Sequence, residues 1–531
     1  MSHRISTLVV FGDSLSDNGN LFDLIGFPQL PAWEGRSSNG PVYAEQLASF
    51  LHMHLDDRAF AGAEASDLSP PLIVNPVTGQ PLPINLSTQI AGYLADLNGH
   101  QAPEGTTALI NIGSNDYDAF LLSSLPKTSQ EIQTFVANVV GSIDQAITTL
   151  TNAGVEHIIL FTLPDLGTTP NAQAAGPQVV AFVHELDLIN NAALEQMAST
   201  HPNVQVVDAF QISEAAFADP TAFDFNPNPN FTLTDQLAAG THQFAPNEIA
   251  FFDGEHPTSA GHGVLAAFAD ATLTSDTVQF LDGTRSVIHA GAHGDIFIFA
   301  TPIDPTNPAL NGNYTIYGGS GDDIIFAGSG NVTVHGDSGD DLIFAGSGNA
   351  KLYGDAGVDV LETNSTGTNT LVGGAGGDAL IVNRAGTDTL SGDSGDDLFV
   401  LKESAGLLSS GGGFNFGQQT IDGGGGHDTL RFIINDQNPL AEQAFIAEFR
   451  QVEAAFDQAA KQGHPGTFDV DGLHVTGVER IELQIDSVST NPNTPYLITH
   501  QIDMADGCGG HESSARQQLL QTADHWNLLT A

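Results

Sequence analysis

Cysteine is almost missing from this chain: Cys508 is the only one in 531 residues. No intramolecular disulfide can form, and a lone thiol makes neither a metal site nor a redox motif. A chain built this way for an extracellular setting needs another source of stability. Basic residues are also scarce. The 13 Lys and Arg face 63 Asp and Glu, a formal charge of −50. That balance excludes nucleic acid and anionic lipid as charge-driven partners and favours solubility or cation binding. Acids scattered over a solvated surface explain part of the excess, but not acids at a fixed repeat position. No apolar run is long enough for a transmembrane segment. The opening Met1-Ser2-His3-Arg4-Ile5 lacks the parts of a secretory signal, so no N-terminal signal peptide is expected.

What is present divides the chain into three. Residues 1–278 alternate apolar runs with helical patterns, as an α/β domain with a parallel sheet does. Thr7–Val10, Ala108–Ile112, His157–Phe161 and Gln205–Ala209 read as strands. Residues 128–152 and 178–200 read as helices. Residues 279–435 are rich in Gly, Asp and Asn and hold nine-residue repeats. Residues 436–531 carry an amphipathic helix from Pro439 to about Gln462, strands over 467–475 and 478–483, and a tail with helical character over 515–529.

Four separated segments of the first part carry chemistry. Phe11-Gly12-Asp13-Ser14 ends the first strand, where a serine hydroxyl can stand at the rim of a sheet. Ala61-Gly62-Ala63 is a small-residue turn that lets backbone approach a ligand. Gly113-Ser114-Asn115-Asp116 follows a strand, and Asp253-Gly254-Glu255-His256-Pro257 precedes an apolar helix. A serine is a poor nucleophile until a base takes its proton, and His256 is suited to that role. Asp253 can orient the imidazole. The Ser14 and Gly62 N–H groups and the Asn115 amide can hold an oxyanion. Plainer roles stay open: Gly62 as a turn, and Asn115 or Asp116 as a helix cap. His242 and His262 compete with His256, although His262 suits packing or capping. Glu255 competes with Asp253 but points less naturally at Nδ1.

These blocks resemble the GDSL, or SGNH, hydrolases, whose Ser, Gly, Asn and His map in order onto Ser14, Gly62, Asn115 and His256. The family's Asp-x-x-His pair maps onto Asp253 and His256. Gly35–Val42 and Leu163–Pro170 are similar to its lipase-type branch. Block two has Ala-Gly-Ala where many relatives have Gly-Gly-Ala. The resemblance covers about residues 5–275 and implies a three-layer α/β/α domain with a parallel sheet. It also implies a serine esterase or lipase that works through an acyl-enzyme and needs no cofactor for its chemistry. Phospholipase or acyltransferase activity and polysaccharide deacetylation are alternatives within the family. A calcium-dependent surface or adhesion protein is the non-catalytic alternative.

The nine-residue pattern Gly-Gly-x-Gly-x-Asp-x-apolar-x resembles the RTX parallel β-roll, so an all-β parallel roll is expected after the α/β domain. Six residues turn, three form a strand, and repeats 18 apart stack on one side. The copies starting at 318, 336 and 354 carry Asp323, Asp341 and Asp359 at the sixth position. Asp378 and Asp397 continue that edge after one-residue insertions. Asp337, Asp355, Gly319, Gly321, Gly339 and Gly357 complete the expected structural Ca²⁺ sites, since hard oxygens suit that ion. The intervening repeats at 327 and 345 lack the Asp, so the opposite edge is expected to rely on Asn and backbone bonds. A flexible Gly/Ser/Asp linker would not keep its apolar triplets in register. The RTX resemblance further implies type I secretion from a Gram-negative bacterium. The partners are then an ABC transporter, calcium, and an ester or lipid substrate.

Overall fold

The computed structural model describes residues 6–502 apart from 68–72, 123–126, 224, 227, 242–243, 245, 275–276, 282–286, 290–293, 300–312, 329, 347, 384–385, 403–416, 436–438, 465, 471 and 489–496. Five strands form the first sheet: β1 (Thr7–Gly12), β2 (His54–Asp57), β3 (Thr106–Asn111), β4 (His157–Phe161) and β5 (Val204–Val207). Their order is β2-β1-β3-β4-β5 and every pairing is parallel. The helices between them are α1 (Asn20–Ile25), α2 (Tyr43–Phe50), α3 (Leu86–Leu97), α4 (Ser114–Leu122), α5 (Ser129–Asn152), α6 (Pro170–Ala175) and α7 (Pro177–Ala198), and α8 (Ala209–Ala218), α9 (Leu233–Ala239) and α10 (Ser259–Thr274) follow the last strand.

The central strands β1, β3 and β4 are buried over most of their length because both faces are covered, whereas the edge strand β2 is polar and only partly buried. Leu8, Val10, Leu109, Ile159 and Phe161 enter one core with Tyr43 of α2 and Phe268 of α10. Val9, Phe11, Ala108, Ile110 and Leu160 alternate into another core with α3, α5 and α7. Helix α5 is typical of the cover. Val136, Val139, Val140, Ile143, Ile147 and Leu150 bury one stripe, and Thr128 caps the start by accepting from the Glu131 N–H. This is the expected three-layer domain.

The repeats coil into two sheets of ten and nine strands, parallel except for one antiparallel pairing at the end of each. Repeats 18 apart are in register: Ile324 opposite Leu342, and Leu342 opposite Val360. The offset then grows to 19, with Val360 opposite Ala379 and Ala379 opposite Leu398, so the insertions are absorbed without loss of register. Ile325, Ile343, Leu361 and Leu380 of one sheet pack on Val334, Leu352, Leu371 and Leu390 of the other.

Glycine sets the stacking distance. A Cβ on Gly357 would lie 1.7 Å from the Gly339 carbonyl oxygen, and one on Gly376 would lie 1.5 Å from that of Gly357. No other residue lets the coils approach so closely. The expected amphipathic helix, Pro439–Lys461, closes the end of the roll with Phe449 against Phe432 at 5.6 Å. Among the described residues no helix is long and apolar enough to cross a membrane. Cys508 and the expected secretion signal lie outside the described residues.

Candidate active site

Ser14 stands where β1 ends. Gly12 is required there, because a Cβ would lie 2.7 Å from the Asn111 carbonyl oxygen of the neighbouring strand. The buried Gln89 of α3 grips both backbone groups of Gly12. Its Oε1 accepts from the Gly12 N–H at 3.0 Å and its Nε2 donates to the Gly12 carbonyl at 2.8 Å. The buried Asp17 carboxylate accepts from Asn20 N at 2.6 Å, at the start of α1, and from Ala61 N at 2.7 Å. It thereby ties the Ser14 turn to the Gly62 turn. Gly62 has φ +80°, a left-handed conformation.

The structure brings the four sequence blocks together. The Ser14 Oγ lies 2.9 Å from His256 Nε2, across 242 residues of chain. His256 Nδ1 lies 3.0 Å from Asp253 Oδ2 and 3.1 Å from Oδ1. Asp253 Oδ1 also accepts from the backbone N–H of Glu255 and His256, at 2.9 and 2.8 Å. Asp253 is therefore fixed before it meets the imidazole.

The first lipase-type stretch and the residue after the second brace this loop. Ser38 Oγ donates to the Pro257 carbonyl at 3.1 Å, and Asn39 Oδ1 accepts from Ser259 N at 2.8 Å. Asn171 N, just past the second stretch, donates to the Gly254 carbonyl at 2.9 Å.

Asn115 and Asp116 separate in role. Asn115 Nδ2 donates to the Ala63 carbonyl at 2.9 Å, and the residue lines the cavity beside Ser14. Asp116 is buried and accepts from Ala65 N, Ser66 N and Ser66 Oγ, at 2.6, 3.0 and 2.6 Å. It anchors the second block.

The electrostatics suit a base. Burial alone would lower the His256 pKa, but the hydrogen bond and charge of Asp253 lift it above the ordinary histidine value. Burial raises Asp253, yet its bonds to His256 outweigh that and hold it below the usual carboxylate range. His262 is fully buried, stacks on Tyr43 at 6.2 Å and is pushed down to about 3 by burial, which makes it a neutral packing residue. Burial and the neighbouring Glu255, a hydrogen-bond partner, push Asp118 up to about 7. Glu255 is therefore engaged by a carboxyl, while Asp253 faces Nδ1. His242 lies outside the described residues. Burial also lifts Asp13, next to Ser14, to about 7.

Ser14 opens onto a cavity of about 130 Å³ between α8 and α10. Its walls are apolar: Leu15, Ile212, Ala216, Phe217, Phe225, Phe251, Val264 and Leu265. At one edge His184 Nδ1 donates to Asp165 Oδ2 at 2.8 Å, with Glu214 Oε1 at 3.7 Å from the same nitrogen.

The second site is one edge of the roll. Asp323, Asp341, Asp359, Asp378, Asp397 and Asp428 form a buried column, each no more than 1% exposed. Asp323, Asp341, Asp359 and Asp378 each donate their backbone N–H to the Oδ1 of the next Asp in the column, at 2.8–2.9 Å. Asp397 N donates likewise to Asp428 Oδ1 at 2.9 Å, and Asp428 N to Glu479 Oε2 at 2.8 Å.

The outer oxygens Oδ2 of Asp341, Asp359 and Asp428 are buried and have no hydrogen-bond partner. A row of buried carboxyl oxygens left without hydrogen-bond partners fits Ca²⁺, a hard cation that takes oxygen ligands. Gly319, Gly321, Gly339 and Gly357 lie in the turns of this edge, all at positive φ. Asp337 and Asp355 occupy left-handed positions in the turns, outside the column, and Asp355 Oδ2 accepts from His335 Nδ1 at 2.9 Å. The opposite edge is a ladder of amides and one carboxylate: Asn349 Nδ2 to Asn331 Oδ1 at 2.8 Å, and Asn369 Nδ2 to Asp388 Oδ1 at 2.7 Å. Asp428 and Glu479 were not among the residues expected from sequence. Asp428 ends a repeat that is legible in the sequence, Asp422-Gly423-Gly424-Gly425-Gly426-His427-Asp428, but the long insertion before it obscures that it continues the column, and Glu479 lies outside the repeats.

Residues 8–268 match the family described as GDSL-like Lipase/Acylhydrolase. Four RTX calcium-binding nonapeptide repeats match at 311–334, 317–352, 335–365 and 417–431. The chain is 28% identical over 324 residues to the phosphatidylcholine-sterol acyltransferase of Aeromonas hydrophila, an alignment covering 58% of this chain and 91% of that one. It is 24% identical over 284 residues to the thermolabile hemolysin of Vibrio parahaemolyticus, covering 50% of this chain and 62% of that one. A solved G-D-S-L lipolytic protein from Veillonella parvula is 12% identical, with 51% of this chain and 97% of that one covered at a TM-score of 0.27. Through residues 8–268 the chain belongs to the GDSL-like lipase/acylhydrolases, and it is a carboxylic ester hydrolase with RTX repeats that bind calcium.

Proposed function

We propose that the chain is a secreted serine esterase or lipase acting through an acyl-enzyme on Ser14. The observation that carries this reading is the chain of contacts Ser14–His256–Asp253, at 2.9 and 3.0 Å, opening on an apolar cavity. His256 takes the Ser14 proton as Oγ bonds to the acyl carbon. The N–H groups of Ser14 and Gly62 and the Asn115 amide receive the oxyanion. His256 then protonates the departing alkoxide, and the same steps with water release the acid. The apolar walls favour an acyl chain over a sugar. Calcium has its place in the roll, where it neutralises the Asp column and lets the coils pack. Residues 1–278 form the hydrolase, 279–435 the roll, and 436–531 the cap and a type I secretion signal for an ABC transporter. RTX repeats are typical of secreted proteins of Gram-negative bacteria, which supports export.

Hydrolysis of p-nitrophenyl esters of graded chain length, with mass spectrometry of the quenched enzyme, tests the reading. A peptide containing Ser14 should gain the acyl mass; an acyl adduct elsewhere, or none during turnover, would overturn it. The likeness to a phosphatidylcholine-sterol acyltransferase supports a second reading, in which a lipid alcohol replaces water as acceptor. Adding a sterol to the assay separates the two by product.

Two further outcomes follow from the geometry. Asn115→Ala removes one oxyanion donor and should cost about 10²–10³-fold in kcat, read by steady-state kinetics. The base must be neutral to act, and its raised pKa places the acid limb of kcat/KM above histidine's ordinary value of about 6.5. Activity should fall as pH drops through that value. In Asp253→Asn the limb should move to lower pH, because the charge that lifts His256 is gone.

A further inference from the structure

The acyl cavity and the calcium roll share a wall. Helix α8 lines the cavity with Ile212, Ala216 and Phe217, and the chain then makes the turn Pro220–Phe223 before Phe225 returns to the cavity lining. The turn is held from the roll side. Phe223, 2% exposed, stacks on Phe326 at 4.8 Å with 19° between the rings. Asn364 Nδ2 donates to the Thr221 carbonyl at 2.9 Å.

Both roll residues sit close to rungs of the Asp column. Phe326 ends the strand Ile324–Phe326 that starts next to Asp323. It packs at 5.0 Å on Phe344, three residues after Asp341. Asn364 follows the strand Val360–Thr363, which starts next to Asp359. The apolar core is continuous from Ile212 and Phe225 at the cavity to Phe326 and Phe344 on the roll.

We infer that Phe326 and Asn364 are positioning residues for acyl-chain selection: they hold the Pro220–Phe223 turn behind the cavity wall formed by Phe217 and Phe225, and calcium loading of the roll acts on chain length through them. This rests on the ester-hydrolase reading above. The reacting end is held independently. Ser14 is fixed by β1 and Gln89, and His256 by the bonds of its loop to Ser38, Asn39 and Asn171. Removing the Phe326 ring leaves a void behind Phe223 into which the turn relaxes. A short acyl group ends before that wall. A long one loses its last contacts, each buried methylene being worth about fourfold in binding.

The test is kcat and KM for p-nitrophenyl acetate and decanoate, with the full chain at saturating calcium, for wild type, Phe326→Ala, Phe326→Leu and Asn364→Ala. The decanoate/acetate ratio of kcat/KM should fall about 10-fold in Phe326→Ala, with a rise in decanoate KM. It should fall less in the other two, and acetate kcat should stay within about twofold in all. Lowering free calcium should reduce the ratio in wild type and leave it flat in Phe326→Ala. An unchanged ratio in calcium-loaded variants, or equal loss on both esters, overturns the inference. If Phe326→Ala does not load calcium, Asn364→Ala and Phe326→Leu decide by the same ratio. A wild type inactive on both esters overturns the hydrolase reading and this inference with it; a wild type active on acetate with an insensitive ratio overturns this inference alone.

Discussion

Ser14→Ala is expected to lower kcat on a soluble acyl ester by about 10⁴–10⁶-fold, with KM and melting temperature nearly unchanged. The size follows from the loss of the only bond-forming group. The Ala63-bound Asn115 and the backbone donors would remain, so residual catalysis over water should persist. The fold should tolerate the change because the Ser14 Oγ bonds His256, at 2.9 Å, and sits at the mouth of a cavity rather than in a core. His256→Ala should cost a similar factor, and the double variant should cost little more, because the two act as one unit. Steady-state kinetics on all three, beside thermal melts, gives the answer. Activity of Ser14→Ala above about 1% of wild type would remove Ser14 from the chemistry, since water acting in its place is far slower.

Much of this site was legible in the sequence, for a physical reason. A buried parallel strand is apolar over its buried length, so Ile158–Phe161 announces itself, and the sheet order puts the ends of β1, β2 and β3 side by side. Once those ends are neighbours, the short motifs that follow them must converge. The repeat roll was legible because its register is a fixed sequence distance, 18 residues, and the apolar triplets keep step with the Asp column.

What stayed hidden is held by single side chains acting over long distances. Gln89 is one polar residue in an otherwise ordinary amphipathic helix, and nothing in its neighbours reveals that it grips Gly12. Asp17 accepts from the N–H groups at the start of α1, but one of its oxygens also reaches across to Ala61. The pairing of Glu255 with Asp118 depends on a loop meeting the short helix α4, and the loop carries no periodic signal. Phe326 lies in a periodic apolar triplet, but its contact with Phe223 joins the roll to a domain without repeats, and no sequence distance announces it.

Withdrawal of calcium is expected to unfold the roll at neutral pH. The column Asp323-Asp341-Asp359-Asp378-Asp397-Asp428 places six buried carboxyl groups on consecutive coils. Without the ion, burial and the neighbouring carboxylates push Asp341 up to about 8 and Asp359 up to about 9. In an unfolded chain these groups have values near about 3.9. A pKa raised on folding stabilises the fold fully only below the unfolded value, and that stability is lost as pH rises through the folded one. The calcium-free roll should therefore be most stable near pH 4 and progressively weaker up to about pH 8–9. Calcium reverses the sign, because it binds the ionised carboxylates and displaces their protons.

The magnitude is set by mass action. Each site at a hundredfold excess over its Kd adds about 2.7 kcal/mol, so two or three such sites match the whole stability of an ordinary domain. Far-UV circular dichroism at pH 7.5 should thus show loss of the β signal on adding a chelator, full recovery with excess calcium, and a smaller loss at pH 4.5. Asp341→Asn, nearly equal in shape, should lower calcium affinity and the calcium-dependent rise in melting temperature. It should also remove part of the pH dependence of the calcium-free state, because the amide cannot titrate. A melting temperature that ignores both chelator and pH would mean that the column is held by its Oδ1 hydrogen bonds alone, as the amide ladder holds the opposite edge.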